Sequence, residues 1–204
     1  SSTKVGPSVA KDITNSAIIS IVLSLVFIFL YILVRFRNIG FSVGSIVALA
    51  CDTVLVIGVY SLLWGLVPFS LEVDKTVIGA IFTVIGYSIN DKVVVFDRIR
   101  ENLRNHRNNL GNTNIQKLFN DSINETLSRT INTSLATLIV LVVICVLGGE
   151  SIRSFSFAMI LGVVFGTLSS IFIASPVAYL VLGKKIEEKY DHASNTPDAV
   201  EVKE

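Results

Sequence analysis

Apolar residues arrive in five long runs separated by short polar breaks. Residues 17–34 and 154–182 carry no charged side chain, and 41–67 holds only Asp52. Residues 76–97 meet Asp91 and Lys92 before a charged end, and 128–147 carries Arg129 near its start. About 20 mostly apolar residues cross the hydrocarbon layer as a helix, so each run predicts a transmembrane span. The breaks carry turn chemistry: Gly6-Pro7, Asn38-Ile39-Gly40, an Asn- and Gly-rich stretch at 108–114, Gly148-Gly149, and Gly183. Before the fourth run, residues 114–127 place Ile115, Leu118, Phe119, Ile123 and Leu127 near helical spacing, which predicts a short amphipathic helix in the interface. Pro176 is expected to kink the fifth span, as membrane helices tolerate. The expected fold is an all-α polytopic membrane helix bundle over residues 16–183. Residues 1–15 then end an outer segment, and 184–204 form a charged tail without a packed core.

Composition agrees with that pattern. Only 16% of the 204 residues are charged and 51% are hydrophobic, whereas soluble domains average about 25% charged. Cys51 and Cys145 sit inside apolar runs and read as small buried hydrophobes. The net charge of +1 is uninformative, but its distribution is not. One side gathers eleven basic residues: Arg35, Arg37, the four arginines at 98–107, Lys117, and four lysines beyond Gly183. The other has four: Lys4, Lys11, Lys75 and Arg153. Positive loops stay in the cytoplasm, so the chain is expected to start outside, cross five times and end inside. The first residues lack the features of a signal peptide, and an odd number of spans with an outside start suggests a helix or outer domain upstream.

The ionisable groups within the runs change the picture most. Asp91 lies about 22 Å along a helix starting near Thr76, inside a layer about 30 Å thick. A charged side chain there costs roughly 2.5 to 3.5 kcal/mol on insertion scales, so it is expected to be used. Tyr87, Ser88 and Asp91 share a helix face, with Asn90 beside it; on the fourth run Glu125, Arg129, Asn132, Thr133 and Thr137 form a polar stripe. Facing stripes would pair Arg129 with Asp91. Two readings follow. The pair is a proton relay, in which Asp91 changes ionisation while Arg129 stays charged, or it is a static ion pair that locks helix packing. Lys92 points about 100° from Asp91 and is expected to snorkel to the cytoplasmic interface. The plainer reading of Asp52 is a hydrogen bond across helices. Small residues recur every four positions at Ala158, Gly162, Gly166, Ser170, Ala174 and Ala178, and a similar stripe joins Gly79, Thr83, Gly86 and Asn90. Such faces let helices approach closely in lipid.

No phosphate loop or HExxH motif is present, and no catalytic constellation is read in the chain. The segments TVIGYSINDKVVVFDRIREN, ETLSRTINTSLATL, GGESIRSFSFAMILGVVFGT and SSIFIASPVAYL resemble the SecF members of the SecD/SecF family, within the resistance-nodulation-division superfamily, across residues 5–183. That resemblance implies six membrane helices with a large periplasmic domain between the first two, of which the last five appear here. It also implies a bacterial inner-membrane location, a SecD partner (separate or fused), the SecYEG translocon and a preprotein substrate. No cofactor beyond protons as coupling ion, no enzymatic activity and no nucleic acid is implied. Asp91 and Arg129 match the family's intramembrane groups tied to proton flow. Lys92 departs from the Thr or Ser more usual after that aspartate, which bears on the local electrostatics. A structural subunit without proton conduction, and a permease of the same superfamily for another cargo, remain the alternatives.

Overall fold

The computed structural model describes residues 7–63, 65, 66, 71, 75–106 and 114–183, with 7–14 and 151 as backbone only. These residues form helices α1 (Pro7–Phe36), α2 (Ile39–Leu62), α3 (Lys75–Asn105), α4 (Ile115–Leu147) and α5 (Glu150–Ser169), the last continuing through a π-helical turn at Ser170–Ala174 to Gly183. The described residues supply five helices long and apolar enough to cross a membrane, and the chain is an all-α multi-pass bundle. Of the outer segment expected at 1–15, residues 1–6 lie outside the described residues and 7–15 belong to α1; the tail expected at 184–204 and most of the connection at 67–74 also lie outside them.

Local chemistry sets the joints. Arg37 takes a left-handed conformation, φ 51°, and its N–H donates to the Leu33 carbonyl at 2.8 Å. Asn38 then caps α2, accepting from the Gly40 N–H at 2.8 Å. The amphipathic helix expected at 114–127 and the span expected at 128–147 form one helix: α4 runs unbroken for 33 residues, and no Gly or Pro interrupts it. The amphipathic stretch is its first third. Phe119 there meets Tyr179 at 5.5 Å between ring centroids, which ties it to the end of the fifth span. Pro176 acts through the π turn. A proline ring clashes with the carbonyl four residues earlier, here Phe172, and the turn that widens the helix covers that residue. The Ser175 hydroxyl donates to the Ser170 carbonyl at 2.9 Å, supplying a bond where the ladder is altered.

Two apolar clusters fill the interior. Leu49, Val56, Tyr60, Ile81, Val84, Ala158 and Val163 belong to one; Ile32, Phe36, Phe41, Phe96, Ile99, Phe119 and Ala174 belong to the other. On α3, residues 88–92 fall between them. Outside, α1 turns Ile19, Phe27 and Val34 to the surface, as a lipid-facing helix does.

The small-residue stripe on α5 packs as expected: Ala158, Ser170, Ala174 and Ala178 are fully buried. A Cβ on Gly162 would stand 2.0 Å from the Val84 Cγ2, and one on Gly166 would stand 2.6 Å from the Ser88 Oγ. These two glycines are what let α5 lie against α3. The α3 stripe behaves otherwise. Gly79, Thr83, Gly86 and Asn90 are exposed, and a Cβ at either glycine would meet nothing within 4 Å. That stripe packs against no element of the described chain, since α4 and α5 take the neighbouring faces of α3.

Candidate functional site

Asp91 and Lys92 sit in the middle of α3, and both are buried, 4% and 0% exposed. Being consecutive, they leave the helix about 100° apart. Asp91 turns toward α4 and α5, where the Thr167 hydroxyl lies 3.4 Å from its Oδ2. Thr167 also shares a 2.6 Å hydroxyl contact with Ser134 of α4, and it donates to the Val163 carbonyl at 2.8 Å. The carboxyl therefore ends a short line of hydroxyls, and the Thr167 contact that joins it to that line is long.

Lys92 turns toward α2 and α5. Its Nζ donates to Asp52 Oδ2 at 2.9 Å, to Ser88 Oγ at 2.5 Å and to Ser169 Oγ at 3.1 Å. Three acceptors satisfy the three protons of an ammonium. The Ser88 hydroxyl donates to the same Asp52 oxygen at 2.7 Å. Asp52 is itself fully buried. Its other oxygen, Oδ1, has no hydrogen-bond partner among the described residues. Lys92 thus does not snorkel to the interface. Its direction on α3 points at a carboxylate that α2 brings to the same depth, and pairing replaces solvation. Asp52 does bond across helices, and its partner is a charge.

The pairing expected between Asp91 and Arg129 does not form. Arg129 is exposed, as are Asn132 and Thr133, and among the described residues neither Asp91 nor Arg129 enters an ion pair. The reason is one of rotation. The positions of α4 that face the bundle are Ser122, Thr126, Thr130 and Ser134, all buried. They repeat every four residues, one position away from the stripe of Glu125, Arg129 and Thr133. That hydroxyl spacing is visible in the sequence and was the signal for Ser134. Thr167 and Ser169 carried a weaker one, hydroxyls within an uncharged span.

The outer polar stripe is still organised. Tyr87 reaches from α3 to the Thr137 hydroxyl at 3.0 Å. Nearer the C-terminal end of α3, Arg98 Nε donates to Glu125, and Asn102 donates to the same Oε2 at 3.0 Å. Arg98 also pairs with Glu101 at 2.7 Å. Arg129, Asn132 and Asn90 remain at the surface beside this network. Among the described residues no group of His, Cys, Asp and Glu could hold a metal ion.

Comparison with known proteins gives a consistent result. Residues 1–184 match the model of the family described as protein export membrane protein SecD/SecF, C-terminal. The chain is 53% identical over 173 residues to the protein translocase subunit SecF of Rhodothermus marinus, covering 85% of this chain and 54% of that protein. It is 42% identical over 168 residues to the SecF of Petrotoga mobilis, covering 82% of this chain and 52% of that protein. It thus spans about half the length of these curated relatives. The crystal structure of SecDF, a translocon-associated membrane protein from Thermus thermophilus, superposes with a TM-score of 0.72 at 41% identity, covering 89% of this chain and 23% of that one.

Proposed function

The chain belongs to the SecD/SecF C-terminal family of protein export membrane proteins, and on that premise we propose that it is the membrane part of a SecF-type subunit that couples proton movement to late steps of preprotein export. Asp91 is the proton-carrying group. The observation that carries this reading is the way Asp91 is held: buried mid-membrane, without an ion pair among the described residues, at the end of the Ser134–Thr167 hydroxyl line. A carboxyl held by neutral hydroxyls, with no ion pair, can gain and lose a proton without dismantling the bundle. Asp52, gripped by Lys92 and Ser88, cannot.

Arg129 enters through the assembly. A guanidinium and two amides facing hydrocarbon would be costly, and the small-residue stripe beside them suits close contact with another helix. These groups fit a second protein surface better, and SecD is the partner proposed for it. There Arg129 supplies positive charge to the interface beside Asp91, not a direct bond within this chain. The subunit would sit in the bacterial inner membrane with its C-terminus in the cytoplasm, close to SecYEG, and the preprotein would be handled by a periplasmic domain.

The tightly enclosed Asp52–Lys92 pair favours a second reading, a purely structural subunit. Asp91→Asn in the full-length subunit, assembled with SecD, separates the two. Proton coupling expects normal complex yield with proton flux and late-stage export lost per complex. Wild-type flux and export in a well-assembled mutant complex would overturn it. A scaffold expects lower yield and unchanged activity per complex.

A further inference from the structure

The Asp52–Lys92 pair is a poor lock. A buried ion pair stabilises a fold only when its remaining lone pairs find donors, and one of comparable volume made of apolar groups is often as stable. Here every ammonium proton is used, yet Asp52 Oδ1 is buried without a hydrogen-bond partner among the described residues. Glue alone does not explain two enclosed charges in this bundle.

Position explains them better. Lys92 follows Asp91 on α3 and Asp52 stands across on α2, so of the two charges the positive one is carried on Asp91's own helix, in the adjacent position. Both residues also hold one turn of α5: Thr167 contacts Asp91 and Ser169 accepts from Lys92. That turn leads directly into the π segment Ser170–Ala174, and π turns within α-helices occur often at functional sites. The charged groups around Asp91 are otherwise few. Arg129 lies on the outer side of α4, α5 offers the neutral hydroxyl of Thr167, and Asp52 is the acid on α2.

We propose that Asp52 and Lys92 are further parts of the coupling apparatus: an oriented charge pair that fixes the field at Asp91 and holds the α5 turn which Asp91 also contacts. Lys92 is a positioning residue, acting through Asp91 and Ser169, and Asp52 is its anchor. This inference rests on the proton-coupling reading of Asp91.

The orientation of the pair is what distinguishes it from glue, so the test reverses it. Full-length complex with SecD, reconstituted in liposomes, is assayed for proton flux per complex across a pH series. The variants are the neutral pair D52N/K92Q, the reversed pair D52K/K92D, and D91N as reference. Reversal keeps an ion pair between α2 and α3 but sets a negative charge next to Asp91. The expected result is near-normal assembly, flux reduced about tenfold or more in the reversed pair, and a displaced pH profile in both double variants. Wild-type flux and an unmoved pH profile in an assembled double variant would overturn the proposal. Should the reversed pair fail to assemble, the neutral pair decides by the same criteria. If D91N conducts like wild type, the underlying proton-coupling reading falls. If D91N is silent while both pairs conduct normally, only the present inference falls.

Discussion

Helix α3 packs against a small-residue stripe of α5 on one face and carries a small-residue stripe of its own on another, and the two stripes are used in opposite ways. Toward α5, Val84 and Ser88 press into Gly162 and Gly166 so closely that an added methyl at either glycine would collide. Around the helix, Gly79 and Gly86 look onto open space. The filled face carries Lys92 into a closed set of bonds with Asp52, Ser88 and Ser169. The open face leaves Asn90 exposed beside the exposed Arg129 of α4. A small residue in a membrane helix therefore marks a potential contact, and only the neighbouring helix decides whether the contact is made within the chain. The filled face builds the bundle. The open one, in the reading proposed above, meets SecD.

The largest effect should come from breaking the filled face at its charges. Lys92→Met leaves Asp52 buried without a cation, and removing one partner of a buried pair typically costs about 3 to 5 kcal/mol. Denaturant or thermal unfolding of the purified chain in detergent should show that loss, and the D52N/K92Q double variant should recover a good part of it. A midpoint unchanged by Lys92→Met would mean that the cluster is open to water. Next comes Gly162→Ala. Its Cβ would meet Val84 Cγ2 at 2.0 Å and the Val84 Cβ at 2.8 Å, so either Val84 leaves its rotamer or α5 moves off α3. Overpacking of this kind costs roughly 1 to 3 kcal/mol. The companion change Val84→Ala should relieve most of it, and failure to do so would show that backbone contacts, not Val84, set the helix spacing.

The difference between the faces also shows what the sequence could reveal. Five spans were legible because hydrocarbon demands long apolar runs. The α5 stripe was legible because Gly and Ala repeat at an interval that stays on one face. Which of two adjacent stripes on α4 turns inward was not. Ser122, Thr126, Thr130 and Ser134 differ from Glu125, Arg129 and Thr133 by one helical position, about 100°. A charged stripe draws attention, but in a single chain the bundle buries the hydroxyls, which lose less on leaving water. The partner of Lys92 was hidden for another reason. Asp52 lies 40 residues earlier, on a helix whose rotation depends on how all five pack. The π turn had a local cause, Pro176, but a proline predicts disturbance without saying which form it takes.

The smallest and most diagnostic effect belongs to the open face. Gly86→Ala makes the same chemical change as Gly162→Ala, yet its new methyl would touch nothing within 4 Å. Inside a helix, alanine is favoured over glycine by up to about 1 kcal/mol. The isolated chain should therefore hold its stability or gain slightly in the same unfolding assay. Co-purification with SecD should respond the other way, because a methyl on a face that another helix approaches closely keeps that helix off. Two glycines on one helix pair would then give opposite signs in one measurement and opposite signs between two. Loss of stability in the isolated chain would show that the face is already covered by segments of this protein. Normal co-purification with SecD would place the partner on some other surface, with Arg129 and Asn132 as the next positions to probe.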